Sequence, residues 1–218
     1  MMIKMFKAAL FDLDGVVLDT ESQYSIFWSN IFQRYFGDGE KIAKKIKGQT
    51  LQQIYHTYFN KRMDIQQVIS IELEAFEQQM TYPFIPGFLS FVNALRAIDV
   101  KTAIVTSSTK EKMEHVYQRH PYLPSYFDAI LTAGDFPHSK PAPDCYLLAA
   151  HRVRVPISEC VVFEDSINGL RSGRASGAKV IGLATTNSHE DIAPIADMVV
   201  PNFTVITSPK LLADTLCN

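Results

Sequence analysis

Cysteine is scarce in this 218-residue chain: Cys145, Cys160 and Cys217, with no Cys-x-x-Cys pair. So sparse and odd a set argues against a disulfide framework or a cysteine-built zinc site, and a reducing compartment is the expectation. Long apolar runs are lacking too, and none approaches the ~20 residues that cross a bilayer. The first apolar stretch is cut by Lys4 and Lys7 and stopped at Asp12, too short for a signal-peptide core. The expected location is therefore the cytoplasm. Neither sign of charge dominates: 21 Lys and Arg face 23 Asp and Glu, a net charge of -2. That excludes broad electrostatic binding to nucleic acid and leaves room only for a local basic patch. Pro- or Gly-rich linkers, low-complexity segments and internal repeats are absent. What remains, 47% apolar and 20% charged residues, is the composition of a folded globular chain. Its length suits one large domain or one domain carrying an insertion.

Short apolar runs recur along the chain. Ala8 to Phe11 precedes Asp12, Thr102 to Val105 precedes Thr106, and Cys160 to Phe163 precedes Glu164. Ala129 to Leu131 and Val180 to Leu183 are two more. Runs this short and apolar read as strands buried on both faces. Helical spacing lies between them, over 88–97, 109–119, 143–152 and 166–177. The alternation predicts an α/β fold, a Rossmann-like parallel sheet with helices on both faces. Residues 20 to 83 contain no convincing strand. Their helical periodicity, punctuated by Gly37 and Gly39 and ended by Pro83 and Pro86, predicts an all-helical insertion. The expected division is 1–19 with 84–218 as an α/β core and 20–83 as a helical domain. Gly169, Gly173 and Gly177 fall on one helix face and predict close packing against the sheet.

Ligands of open parallel sheets bind at the carboxyl ends of the strands. Asp12, Thr106 and the pair Glu164-Asp165 would meet on that edge. Converging carboxylates repel unless a cation joins them. Carboxylate and carbonyl oxygens suit a hard ion such as Mg2+. Asp12 and Asp14 are spaced to share a strand face. One could attack while the other moves a proton. The plainer alternative is a strand end followed by a turn at Gly15. Lys140 is a candidate counter-charge for a phosphate or for Asp12, or else a surface lysine, with Asp144 capping the next helix. Thr106-Ser107-Ser108, read alone, is a helix N-cap.

Taken in order, FDLDGVVLDTE, Thr106 after a buried strand, SKPAPD and FEDSINGLRSGRASG resemble the haloacid dehalogenase superfamily of aspartyl-phosphate hydrolases. The resemblance spans essentially the whole chain. It is nearest the β-phosphoglucomutase-like phosphatase branch, whose first-position cap matches the helical insertion. It implies Asp12 as nucleophile and the Asp14 side chain as general acid and base. Mg2+ would be held by Asp12, the Asp14 main-chain carbonyl and Asp165, with Glu164 as a ligand or one step removed. Thr106, the Ser107 N–H and Lys140 would hold the phosphoryl oxygens. Thr20, Lys47, Gly48 and Ser108 are the further substrate contacts. The partner is a small phosphorylated metabolite, not a nucleic acid or a membrane, and the expected state is a monomer.

The insertion bears on the reaction. Where mutases of this branch carry a His, this chain has Tyr24. Where they carry a phosphate-gripping Arg, it has Leu51. Residues 64–82 contain no Lys or Arg and carry Glu72, Glu74 and Glu77. Leu cannot replace a bidentate Arg, so the expected activity is phosphatase, with a β-phosphoglucomutase-type mutase as the alternative. A receiver-like phosphoacceptor module is the non-enzyme alternative, although its acidic pair would precede the acceptor. The cluster Lys41, Lys44, Lys45 reads as a solvated helix face. Trp28 with Phe27, Phe32, Tyr35 and Phe36 reads as core of the insertion.

Overall fold

The computed structural model describes residues 6–206, 208–210 and 212. Cys217 and Lys4 lie outside the described residues. Six parallel strands form one sheet: β1 (Ala8–Phe11), β2 (Lys101–Val105), β3 (Ala129–Leu131), β4 (Cys160–Glu164), β5 (Lys179–Leu183) and β6 (Met198–Val200). Their spatial order is β3-β2-β1-β4-β5-β6. Every residue of β1 and β4 is buried. This is why their sequences are continuous apolar runs, not alternating ones. Register aligns Phe11 with Ile104 on one side and Phe163 on the other. Asp12 therefore leaves the sheet level with Val105 and Glu164, and its N–H still donates to Phe163 O at 3.0 Å. β1 is central and the chain winds outward from it in both directions, so the crevice at its carboxyl end is the switch point where such sheets bind ligands.

Helices α5 (Phe88–Arg96) and α6 (Lys110–Arg119) cover one face, in a core built around Phe11, Phe88, Phe91, Phe163 and Phe203. Helices α7 (Asp144–Arg152) and α8 (Ile167–Ser176) cover the other, against Leu10, Val105 and Val162. The short α9 (His189–Ile192) adds Ile192 to that face. Between β1 and α5 run α1 (Glu21–Phe36), α2 (Gly39–Lys45), α3 (Leu51–Tyr58) and α4 (Met63–Gln79). They bury a separate cluster that includes Trp28, Ile31, Phe32, Ile54, Phe59 and Ile69. Phe36 departs from the expected core and is 46% exposed. Gly37 ends α1 in the left-handed region at φ 72°, a conformation glycine adopts at no steric cost. α3 starts on a capping box, Thr50 with Gln53.

Three local expectations need correction. Thr106-Ser107-Ser108 does not cap α6; the Thr109 side chain does, accepting from Lys112 N. Asp144 is not the cap of α7. It is the first helical residue, after Pro143, and its carboxylate is bound by His138 Nδ1 at 2.7 Å. Gly177 does not pack on the sheet. It is the left-handed C-cap of α8 at φ 89°, and a Cβ there would meet nothing within 4 Å. Gly173 packs as expected, because a Cβ there would come within 3.0 Å of Val162 and Val180.

Candidate active site

The strand ends bring Asp12, Thr106, Glu164 and Asp165 to one edge, as the spacing predicted, and Asp14 and the loop residue Lys140 join them there. Lys140 is no surface residue. It is 1% exposed, and its ammonium donates to Asp12 Oδ1 at 2.5 Å, Glu164 Oε1 at 2.6 Å and Val105 O at 3.0 Å. All three of its N–H bonds are used. An ammonium in so dry a place survives only with its counter-charges beside it. Burial alone would favour the neutral amine, but Asp12 and Glu164 hold its pKa well above the usual lysine value.

Glu164 is fully buried and saturated. Oε1 accepts from Lys140 and from Tyr146 OH at 2.9 Å, while Oε2 accepts from Asp165 N, Ser166 N and Ser166 Oγ. With both oxygens occupied, its visible task is to fix Lys140 and the start of α8. Gly169 makes room for it, since a Cβ there would lie 1.7 Å from Glu164 Oε1. Asp165 differs. Its Oδ1 is buried without a hydrogen-bond partner. Burial, then the charges of Glu164, Glu21 and Asp12, push its carboxyl well above the usual range. Asp12 is likewise raised to about 8, by burial first and by Glu164 and Asp14 next, against the pull of Lys140. Ligand oxygens of Asp12, Glu164 and Asp165 lie within 4.8 Å of one another. An orphaned carboxylate oxygen and an all-oxygen donor set fit a hard divalent cation such as Mg2+. Gly15, at φ +77°, passes so close that a Cβ would lie 2.0 Å from Asp165 Oδ2.

Asp14 points away from this cluster into a cage. Thr20 Oγ1 donates to Oδ1, Ser108 Oγ to Oδ2 at 2.8 Å, and Lys112 Nζ to both oxygens at 2.6 Å. Burial works to raise its pKa, but Lys112 and these hydroxyls outweigh it and hold the carboxyl below its ordinary value. Thr20 and Ser108, expected as substrate contacts, thus have their hydroxyls on Asp14. Thr106 Oγ1 accepts from Ser108 N at 3.0 Å and holds the loop in shape. The Ser107 hydroxyl is buried without a partner.

Lys112 is the residue sequence reading missed. It is 3% exposed, and its Nζ sits 4.4 Å from the centroid of the Tyr24 ring. A signal existed: Lys112 lies on the α6 face that buries Met113 and Val116, where a lysine needs a partner. Tyr24, in turn, donates its hydroxyl to Glu77 Oε1 at 2.7 Å. From the insertion, Lys47 Nζ donates to Thr186 O at 3.3 Å and Gln53 Nε2 to Lys140 O at 3.1 Å. Gly48, at φ +74°, lets its loop press on Ser166, whose Oγ would lie 2.4 Å from a Cβ. Lys41, Lys44 and Lys45 are exposed, as expected of a solvated face.

These groups open on one cavity of about 290 Å³ between sheet edge and insertion, lined by Asp12, Asp14, Thr106, Lys47, Leu51 and Glu77 among others. A pair of aspartates at a central strand end, a buried lysine on the first and an acidic pair after β4 match a known architecture. The profile of the haloacid dehalogenase-like hydrolases matches residues 9–183. The chain belongs to that family.

It is 30% identical over 220 residues to glycerol-1-phosphate phosphohydrolase 1 of Saccharomyces cerevisiae, covering 95% of this chain and 87% of that protein. It is 27% identical to the fructose-1-phosphate phosphatase YqaB of Escherichia coli, over 83% of this chain and 97% of that one. The fold is shared with β-phosphoglucomutase from Clostridium difficile, at TM-score 0.81 and 19% identity, with 98% of each chain covered. No helix among the described residues is long and apolar enough to cross a membrane.

Proposed function

We propose that this enzyme is a phosphatase that hydrolyses a small phosphate monoester of the sugar- or polyol-phosphate kind, with Asp12 as nucleophile. The observation that carries the reading is the pair of separately held aspartates. Asp12 is fixed by Lys140 at the strand end, and Asp14 is caged two residues on, both lining one cavity. The named activities of the yeast and bacterial relatives support the substrate class.

An Asp12 carboxylate oxygen attacks phosphorus, the ester bond breaks, and an aspartyl-phosphate forms. This replaces one very slow hydrolysis by two easier steps. Asp14 is ionised in its cage, so it first takes up a proton from solvent as substrate displaces a caging donor. It gives that proton to the departing alkoxide and then removes one from the water that cleaves the acyl phosphate. To do so it must exchange one caging donor for the substrate, and the hydroxyls of Thr20 and Ser108 can rotate away. The Thr106 hydroxyl and the Ser107 N–H steady the phosphoryl oxygens, which carry the transition-state charge. Lys140, whose N–H bonds are engaged, adds its positive charge and turns a donor to them as Asp12 is phosphorylated. Mg2+, held by Asp12, the Asp14 carbonyl and Asp165, would supply the positive charge that lets two anions approach. Glu164 serves this set by holding Lys140. Residues 20–83 form the cap that closes over the reacting groups and contributes Lys47 and Gly48. A mutase must anchor a second phosphate in the cap, and Tyr24, Leu51 and Glu77 offer no such anchor.

The test is release of phosphate from a panel of sugar and small-metabolite monophosphates, with Mg2+, with EDTA, and with Asp12→Asn. We expect Mg2+-dependent release that falls by on the order of 10⁴-fold or more in the variant. β-Glucose 1-phosphate belongs in the panel, with glucose 6-phosphate assayed in parallel. Glucose 6-phosphate forming without free phosphate would make the enzyme a mutase and overturn the reading.

A further inference from the structure

We propose that Glu77 selects the alcohol part of the substrate, so that the site takes phosphate monoesters bearing an ammonium group, such as amino-sugar or amino-alcohol phosphates, and rejects those bearing a second anion. This rests on the phosphatase reading of the same cavity. Glu77 is 8% exposed and lines the cavity. Its one hydrogen bond to the side-chain carboxylate comes from a neutral phenol, Tyr24 OH. Among the described residues no Lys, Arg or His lies within ion-pair distance of it. Lys112 acts on it only from a distance and is itself bonded to Asp14, so burial wins and pushes the Glu77 carboxyl up. A carboxylate taken out of water without a cation in contact is costly, and an ammonium arriving with substrate would supply that contact.

The surroundings give the same answer. Beyond Asp12 and Asp165, the cavity lining carries the carboxylates of Asp14, Glu21, Glu74, Glu77 and Glu111 against the cations Lys47 and Lys112. Lys112 already has both oxygens of Asp14 and the Ser108 hydroxyl. Glu74 has His115 at 2.9 Å and Gln78 at 3.0 Å. Among the described residues Glu21 makes no hydrogen bond or ion pair and feels Lys47 only at a distance. Glu77, bonded at its carboxylate only by the Tyr24 hydroxyl, is the more buried of the two. It is also well placed: Asp14 contacts Lys112, Lys112 sits over the Tyr24 ring, and the Tyr24 hydroxyl reaches Glu77. Glu77 stands across one aromatic ring from the group that meets the leaving oxygen, within reach of a substituent on the alcohol. A second phosphate or carboxylate there would face Glu77 and Glu74 with Lys112 already engaged, and like charges brought together in a dry pocket are strongly disfavoured.

Two matched series test this. One is glucosamine 6-phosphate, glucose 6-phosphate and 6-phosphogluconate. The other is O-phosphoethanolamine, 2-hydroxyethyl phosphate and 2-phosphoglycolate. Binding is measured by calorimetry on the full-length Asp12→Asn protein with Mg2+, and kcat/KM on the wild type. We expect the order ammonium, hydroxyl, carboxylate in at least one series, with about tenfold or more between first and last. Adding Glu77→Gln should bring ammonium and hydroxyl esters to within about twofold, while Glu77→Asp should keep the order. A flat or reversed order in both series overturns the proposal, as does an order unchanged by Glu77→Gln. Should Glu77→Gln fail to fold by circular dichroism, the unsubstituted ranking still decides. Hydrolysis of p-nitrophenyl phosphate by the wild type separates the two readings. Turnover with a flat ranking sinks the selectivity alone. No turnover of any ester sinks the phosphatase reading, while the calorimetric order still judges Glu77.

Discussion

Lys112 occupies a helix position whose neighbours Met113 and Val116 are buried, so its charge must be justified by what it touches. It makes two 2.6 Å bonds to Asp14 and lies against the Tyr24 ring. Breaking a buried ion pair from one side leaves an uncompensated charge and costs about 3–5 kcal/mol. Lys112→Met should therefore lower stability at neutral pH by that amount in urea titrations. The cost should depend on pH with a definite sign. The Asp14 carboxyl is held below its ordinary value of 3.8 in the folded protein. The stability it contributes is complete above the unfolded-state pKa and is lost as pH falls through the lower folded-state one. The difference between wild type and Lys112→Met should be full above about pH 5 and shrink in more acid solution. A difference that grows in acid would show that Asp14 is not the partner that matters. At this scale Asp12 and the pair Glu164-Asp165 were legible because they follow apolar runs, while Asp14 and Lys140 stood out only within the whole ordered set of motifs. Lys112 was not, because its partner lies 98 residues away and only the fold brings them together. The roles of Thr20 and Ser108 escaped for the same reason: a hydroxyl near a site does not declare whether it meets the ligand or another side chain.

Helix α8 shows how one element carries three glycines for three different reasons. Gly169 clears space for the Glu164 carboxylate, Gly173 lets the helix sit against Val162 and Val180, and Gly177 turns the chain left-handed. Gly169→Ala would drive a methyl into Glu164, which holds Lys140. We expect at least a tenfold loss of phosphate release together with about 1–3 kcal/mol of stability, the usual cost of overpacking. Gly177→Ala meets no neighbour and costs about 1–2 kcal/mol of left-handed strain, with phosphate release unchanged per folded molecule. Equal effects on activity in the two variants would mean that Glu164 does not position the site. The spacing of the three glycines was legible and predicted one face and one purpose. It could not show that the last had left the helix. Strands β1 to β5 were legible as apolar runs between helices. β6 was not, since Met198–Val200 is three residues long and is made a strand by pairing with β5. The insertion's helical character showed in its periodicity, while α2 and α3, of 7 and 8 residues, are too short for a period to stand out.

The whole molecule joins its sheet and its insertion through two crossing segments. Asp19 N donates to Pro83 O at 2.8 Å and Ile85 N to Val17 O at 3.0 Å, flanking a bridge between Leu18 and Phe84. On the far side of the cavity the contacts are polar: Lys47 to Thr186 O, Gln53 to Lys140 O, and His115 to Glu74. Each such hydrogen bond contributes only about 0.5–1.5 kcal/mol net, and the insertion buries most of its apolar core within itself, with Tyr24 and Phe76 also packing on the sheet-side core. A seam of a few polar contacts and two aromatic side chains beside a two-strand crossing is built to open at modest cost. We therefore expect the insertion to swing about residues 19–21 and 82–87, admitting substrate when open and excluding water when closed. Small-angle scattering should show a larger radius of gyration for the free protein than with MgCl2 and saturating inorganic phosphate. Amide exchange at 46–50, the loop carrying Lys47 and Gly48, should slow on the same addition. His115→Ala, which removes one contact from the seam, should raise KM more than it lowers kcat, because closure is completed by substrate binding. An identical radius and exchange pattern in both conditions would mean that the cavity is entered without movement of the insertion, and that the crossing at Leu18 and Phe84 is a rigid joint.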